Sequence, residues 1–167
     1  MTRYVNYFII GILLLSGLFF SGCVEDNESD WGENGDLSIT LTIEKEMMTI
    51  DETNNLTETI KNIGGSKLRI VIPFMSKIKM FDSNNMSVNW TGPEDDPPAS
   101  PTNKNLEVLE SGEMIEYIRQ INLRNWDLKR NNTYRIVSHY FVGDYQDITL
   151  PYWKGELRSN EIVLRTQ

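Results

Sequence analysis

A spacing of two constrains this chain more than any other feature. In Leu37-Ser38-Ile39-Thr40-Leu41-Thr42-Ile43 apolar and polar residues alternate without a break. Successive side chains of a strand point to opposite faces, so the row predicts a strand with one wet and one buried face. The same spacing returns in Leu56, Ile60 and Asn62, in Leu68, Ile70 and Ile72, and in Ile78 and Met80. Further on it recurs in Ile115, Tyr117, Ile121 and Leu123, in Tyr134, Ile136 and Tyr140, and in Ile162 and Leu164. Gly64-Gly65, Asp82-Ser83-Asn84-Asn85 and Ser111-Gly112 punctuate these rows as turns. Met86, Val88 and Trp90 are expected to answer Ile78 and Met80 as the second arm of a hairpin, and Pro73 marks an end or an edge. Trp126 and Leu128 suggest a short helical turn plugging the core. No stretch of the body keeps a helical period. The expected fold is all-β, an antiparallel β-sandwich of about seven to eight strands over residues 37–167.

The N-terminal residues obey other rules. Tyr7 to Phe20 carry no charge, and Arg3 is the single charged side chain before residue 23. As an apolar helix the run is about 21 Å long, short against a hydrocarbon core of about 30 Å and suited to the apolar region of a signal peptide. Arg3 stays on the positive side, which sends the remainder of the chain outward. Residues 24–36 hold six acidic residues and no basic one, the composition of a disordered tether. The expected organisation is a signal peptide or signal anchor over 1–22, an acidic tether with its leading cysteine over 23–36, and the β domain over 37–167.

Ser21-Gly22-Cys23 behind an apolar run resembles the lipobox of prokaryotic membrane lipoproteins. The resemblance implies cleavage between Gly22 and Cys23 and a lipid on the Cys23 sulfur. A lipid places the chain on the outer face of the cell membrane, as an uncleaved helix anchor also does. Within the body, Thr59-Ile60-Lys61-Asn62-Ile63-Gly64-Gly65 is similar to a strand and turn of immunoglobulin-like surface modules. Leu109-Glu110-Ser111-Gly112-Glu113 is similar to a later turn of theirs. Tyr134-Arg135-Ile136-Val137-Ser138-His139-Tyr140, with Trp153-Lys154-Gly155 and Ser159-Asn160, resembles their closing hairpin. Modules of this kind occur in cell-adhesion-related domains and in proteinase inhibitors of the BsuPI type. The resemblance implies an immunoglobulin-like sandwich. It leaves two functions open, a surface-displayed binding or structural module and an extracytoplasmic proteinase inhibitor.

Charge and residue counts exclude several classes. Sixteen basic residues face 24 acidic ones, a net charge of −8, the wrong sign for nucleic acid or anionic lipid. One cysteine and one histidine rule out an internal disulfide and a Cys/His zinc site. No cofactor, metal site or catalytic constellation is expected, and the chain reads as no enzyme. His139 falls on the strand face of Val137 and Phe141, with no nucleophile or orienting carboxylate implied beside it.

Recognition is expected from loops. Residues 91–105 hold four prolines and no large apolar residue before Leu106, and read as a long exposed loop carrying Glu94, Asp95 and Asp96. Those acids suggest a contact surface more than a cation site, since calcium needs ligands at fixed spacing. Trp90 and Trp126 are expected in the core, and Tyr152 and Trp153 as exposed aromatics available to a protein or glycan partner. Asn55, Asn85 and Asn131 head acceptor sequons at expected turns and are candidate glycosylation sites.

Overall fold

The computed structural model describes residues 36–72, 76–93 and 99–167. Ten strands occur among them. They are β1 (Leu37–Ile43), β2 (Met47–Met48), β3 (Thr53–Asn62), β4 (Leu68–Val71), β5 (Ser76–Phe81), β6 (Leu106–Leu109), β7 (Met114–Asn122), β8 (Thr133–Val142), β9 (Gly155–Arg158) and β10 (Ile162–Thr166). The expected N-terminal helix, the tether up to residue 35, Gly22 and Cys23 lie outside the described residues, as do Pro73, Glu94, Asp95 and Asp96.

One sheet has the order β1-β3-β7 and the other β2-β10-β8-β5, while β4 pairs with β6. All pairings are antiparallel except β2 with β10, which is parallel. The expectation of an antiparallel all-β fold therefore holds with one local exception. Strands β9 and β10 both pair with β8, on Phe141 and Ile136 respectively among others, so they act as two halves of one interrupted strand. Ser159 bridges the interruption: its N–H donates to the Ser138 carbonyl at 2.9 Å, and its hydroxyl accepts from the Ser138 N–H at 2.9 Å.

The alternation read from the sequence is the burial pattern. Leu37, Ile39 and Leu41 of β1 and Leu56 and Ile60 of β3 face Ile136, Tyr140 and Leu164 of the other sheet. The core has two apolar halves. One gathers around Ile39, Ile60, Tyr140 and Trp153, the other around Leu41, Leu56, Met80 and Ile136. Glu58 lies between them, fully buried, at the β3 position between Leu56 and Ile60. Its carboxylate accepts from the Ser138 hydroxyl and, at 2.8 Å, from the Ser76 hydroxyl. Buried polar groups persist where their hydrogen bonds are made, and here one acid, two hydroxyls and Arg119 form a polar layer through the sandwich.

Two elements depart from the sequence reading. Residues 86–90 form no strand: Val88 donates to the Met80 carbonyl at 2.8 Å, and Phe81 bridges Ser87, but the ladder stops there. The chain turns instead toward residues 125–127, where Trp90 bridges Trp126. The part of the 91–105 loop that is described is more ordered than its prolines suggest. Pro101 is buried, Thr102 and Asn105 cap a single 3-10 turn, and Asn103 accepts from Thr149 N at 2.9 Å.

Candidate functional site

Main-chain register decides which edges remain open. Asn62 N–H donates to the Glu113 carbonyl at 3.0 Å, and Leu123 N–H to the Glu52 carbonyl at 3.4 Å. Antiparallel ladders alternate, so Ile115, Tyr117, Arg119 and Ile121 direct their N–H and C=O groups toward β3. Glu116, Ile118, Gln120 and Asn122 direct theirs away from it. Strand β7 ends its sheet and β5 ends the other. On β5, the Met80 carbonyl accepts from Val88 and the Ser76 carbonyl from Arg119, so the even-numbered residues there face away from β8.

Between these two edges lies a groove of about 890 Å³. Ser76, Lys77 and Ile78 form one bank, residues 117–122 the other, and Trp90, Asn125 and Trp126 close one end. The Arg119 guanidinium crosses the floor: Nη2 donates to the Ser76 hydroxyl at 2.9 Å and stands 3.6 Å from the Glu58 carboxylate. Its side chain is 30% exposed and lies over the Tyr117 ring, 5.9 Å from the centroid. Tyr117 faces inward by register yet is 39% exposed, because among the described residues no further strand covers that bank. Trp90 and Trp126 meet edge to face, with centroids 5.1 Å apart. The Trp126 indole N–H is buried with no acceptor among the described residues. A Cβ on Gly92 would sit 2.5 Å from the Trp90 ring and 2.8 Å from Asn125, so glycine is required for Trp90 to occupy this place.

The groove inverts the electrostatics of the chain. Among the described residues it is lined by two cations, Lys77 and Arg119, and by no carboxylate, in a protein of net charge −8. An aromatic end wall, a guanidinium in the floor and, among the described residues, unpaired main chain along the β7 bank suit the capture of an extended, anionic or amphipathic ligand.

Apart from Trp90 and Trp126, which close the groove, the residues singled out from the sequence fall elsewhere, with corrections. Trp153 is no exposed aromatic: it is 3% exposed, stacked on Tyr140 at 5.6 Å, with its N–H donating to the Arg69 carbonyl at 2.8 Å. Burial pushes the Tyr140 hydroxyl far above its ordinary value, and that hydroxyl donates to the Val71 carbonyl at 3.2 Å. Tyr152 is half-buried, and its hydroxyl donates to the Gly143 carbonyl at 3.0 Å. The hydrogen bond from Lys154 to Asp144, 2.6 Å long, holds that ammonium above its usual value. Trp90, expected in the core, is 46% exposed. Asn55 lies within β3 and not at a turn, its amide donating to Glu44 at 2.9 Å. Asn85 and Asn131 do lie at turns, with φ of 66° and 53°. His139 stands on the outer face, 3.1 Å from the Glu156 carboxylate.

No family model and no curated protein matches the chain. Among solved structures it is similar to the CARDB domain of a Pyrococcus furiosus protein in complex with di-metal ions, with 13% identity and a TM-score of 0.35. That match covers 79% of this chain and 88% of the other. The Salmonella enterica SafA pilin in complex with the SafB chaperone is also similar, with 9% identity and a TM-score of 0.32, over 78% of this chain and 55% of that one. Both superpositions are loose, and the fold described above rests on strand order and register.

Proposed function

We propose that the chain is a non-catalytic binding module, tethered to the outer face of a membrane through Cys23 or its apolar N-terminal segment, that captures its partner in the groove between β5 and β7. The observation carrying this reading is the groove itself: the β7 edge, open among the described residues, a guanidinium in the floor and an aromatic end wall in one place.

An immunoglobulin-like assignment is supported by topology. With β1, β3 and β7 taken as strands A, B and E, and β5, β8 and β9–β10 as C, F and G, the two sheets follow the strand orders of that fold. Tyr134 adds a second support. It opens β8, and its hydroxyl accepts from Lys129 N–H at 2.7 Å, which is the tyrosine corner of immunoglobulin-like domains. The place beside strand E that strand D takes in that fold is the open edge of β7 among the described residues.

The test is a panel of immobilised peptides and oligosaccharides probed with the full chain in detergent micelles. Ligands retained by the wild type are expected to bind at least about tenfold more weakly to Trp90→Ala and to Arg119→Glu, a loss of about 1.4 kcal/mol or more. Undiminished binding by both variants would place recognition elsewhere. The tether is read separately, by intact mass of the membrane-extracted protein beside Cys23→Ser. A lipid mass on Cys23 with residues 1–22 lost supports lipidation, and an unmodified full-length chain means an uncleaved anchor.

A further inference from the structure

We infer that the groove's ligand is an extended acidic polypeptide segment, added as a strand along the open edge of β7. This deepens the binding reading above and rests on it.

The edge is suited to such an addition by its register. From Glu116 to Asn122 the even-numbered residues turn their N–H and C=O groups away from β3, and an incoming strand pairs with groups of this kind. Seven residues of strand span about 23 Å. A saccharide would leave this row of main-chain donors and acceptors only irregularly matched, whereas a polypeptide repeats at the same spacing. An added strand also places every second side chain over the groove floor, where Tyr117, Ile78 and Ile121 offer apolar contact. Arg119 stands among them. Only Nη2 of its guanidinium donates to Ser76, so Nε and Nη1 remain for a carboxylate from the ligand, and Arg is the side chain best shaped for one. With Lys77 on the opposite bank and no acid among the described lining residues, an acidic residue is favoured at the central inward position and a basic one is opposed. Ile118, 64% exposed on the outer face of the same edge, would be flanked by the new strand.

The probe is acetyl-Val-Thr-Glu-Thr-Val-Thr-Val-amide, titrated into the full chain in detergent micelles. Three controls accompany it: the same peptide with lysine for glutamate, the same peptide N-methylated at alternate residues in each of the two phases, and an oligogalacturonate. Binding is expected for the parent peptide. It should fall at least tenfold with lysine at the centre, and be abolished by N-methylation in one phase and retained in the other. Gln120→Pro removes one groove-facing N–H while leaving the β3 ladder intact, a place where an edge strand tolerates proline. It should fold with an unchanged circular-dichroism spectrum and lose the peptide; Arg119→Glu should lose it too, with thermal unfolding measured beside it because the new carboxylate faces Glu58.

Binding that survives N-methylation in both phases overturns strand addition and leaves the groove as the site. Capture of the oligogalacturonate alone, sensitive to Arg119→Glu, overturns the polypeptide class and also leaves the groove. Peptide binding indifferent to Gln120→Pro and Arg119→Glu removes both readings together. Failure of the parent peptide to bind at about 1 mM, or a concentration-dependent dimer that Gln120→Pro dissociates, overturns the assignment of the edge to a foreign strand.

Discussion

Replacing Glu58 with alanine is expected to destabilise the domain by about 2–4 kcal/mol, the cost of breaking a buried ionic and hydrogen-bonded cluster from one side. The substitution leaves the Ser76 and Ser138 hydroxyls without the carboxylate they donate to, and Arg119 without its nearest anion. It also opens a space between the two apolar halves of the core. For a domain of this size the unfolding midpoint should fall by about 6–15 °C. The effect belongs to the unsatisfied partners more than to any gain from burying an acid, because taking a carboxylate out of water is itself costly. Combining Glu58→Met with Ser76→Ala and Ser138→Ala should therefore recover most of the loss, since the layer then becomes uniformly apolar. Thermal and urea unfolding followed by tryptophan fluorescence would measure both. A Glu58→Ala midpoint within a degree of wild type would show that the polar layer does not hold the sheets as described.

Trp153→Ala is expected to cost more, about 3–5 kcal/mol, the range for removing a large aromatic from a packed core. Its ring stacks on Tyr140 beneath the approach of β9, and a Cβ on Gly155 would lie 3.0 Å from it. Gly155 also holds φ of +152°, so that corner has little room to close over a cavity. Trp90→Ala supplies the contrast. Exposed at the groove end, it should change stability by no more than about 1 kcal/mol while weakening ligand capture. The same unfolding measurements rank the two, and an order opposite to this one would mean the two tryptophans have exchanged core and surface roles.

That pair also marks how far the fold is legible in the sequence. Half-buried strands write their burial as alternation, so β1, β3 and β8 can be read from Leu37, Leu56 and Tyr134 onward. Strands β6 and β9 hide because they are four residues each with at most one buried side chain, too few to display a period. Glu58 was legible in principle. It sits at the inward parity between Leu56 and Ile60, yet a charge in an apolar row reads as a break until Ser76 and Ser138 are brought opposite it. Trp153 lies between Tyr152 and Lys154 in a connection without periodicity, so nothing local signals that Tyr140 covers it.

The groove was not legible at all, for a topological reason. Its residues come from 76–78, 90 and 117–126, and Tyr117 and Arg119 look like ordinary members of an alternating strand. Only the sheet order makes β5 and β7 edges and gives those side chains an open side. The sequence directs attention to Glu94, Asp95 and Asp96 because acids and prolines cluster there, whereas the cationic lining is assembled from residues far apart in the chain.

Residue-resolved amide hydrogen exchange of the full chain in detergent micelles, without ligand, tests the open edge of β7 most directly. The N–H groups of Tyr117, Arg119 and Ile121, paired with β3, should exchange slowly. Those of Glu116, Ile118 and Gln120 should exchange near the rate of an exposed strand edge, giving alternation along one strand. Uniform protection from Glu116 to Ile121 would mean that the edge is already covered, and would contradict the groove as a site for capture.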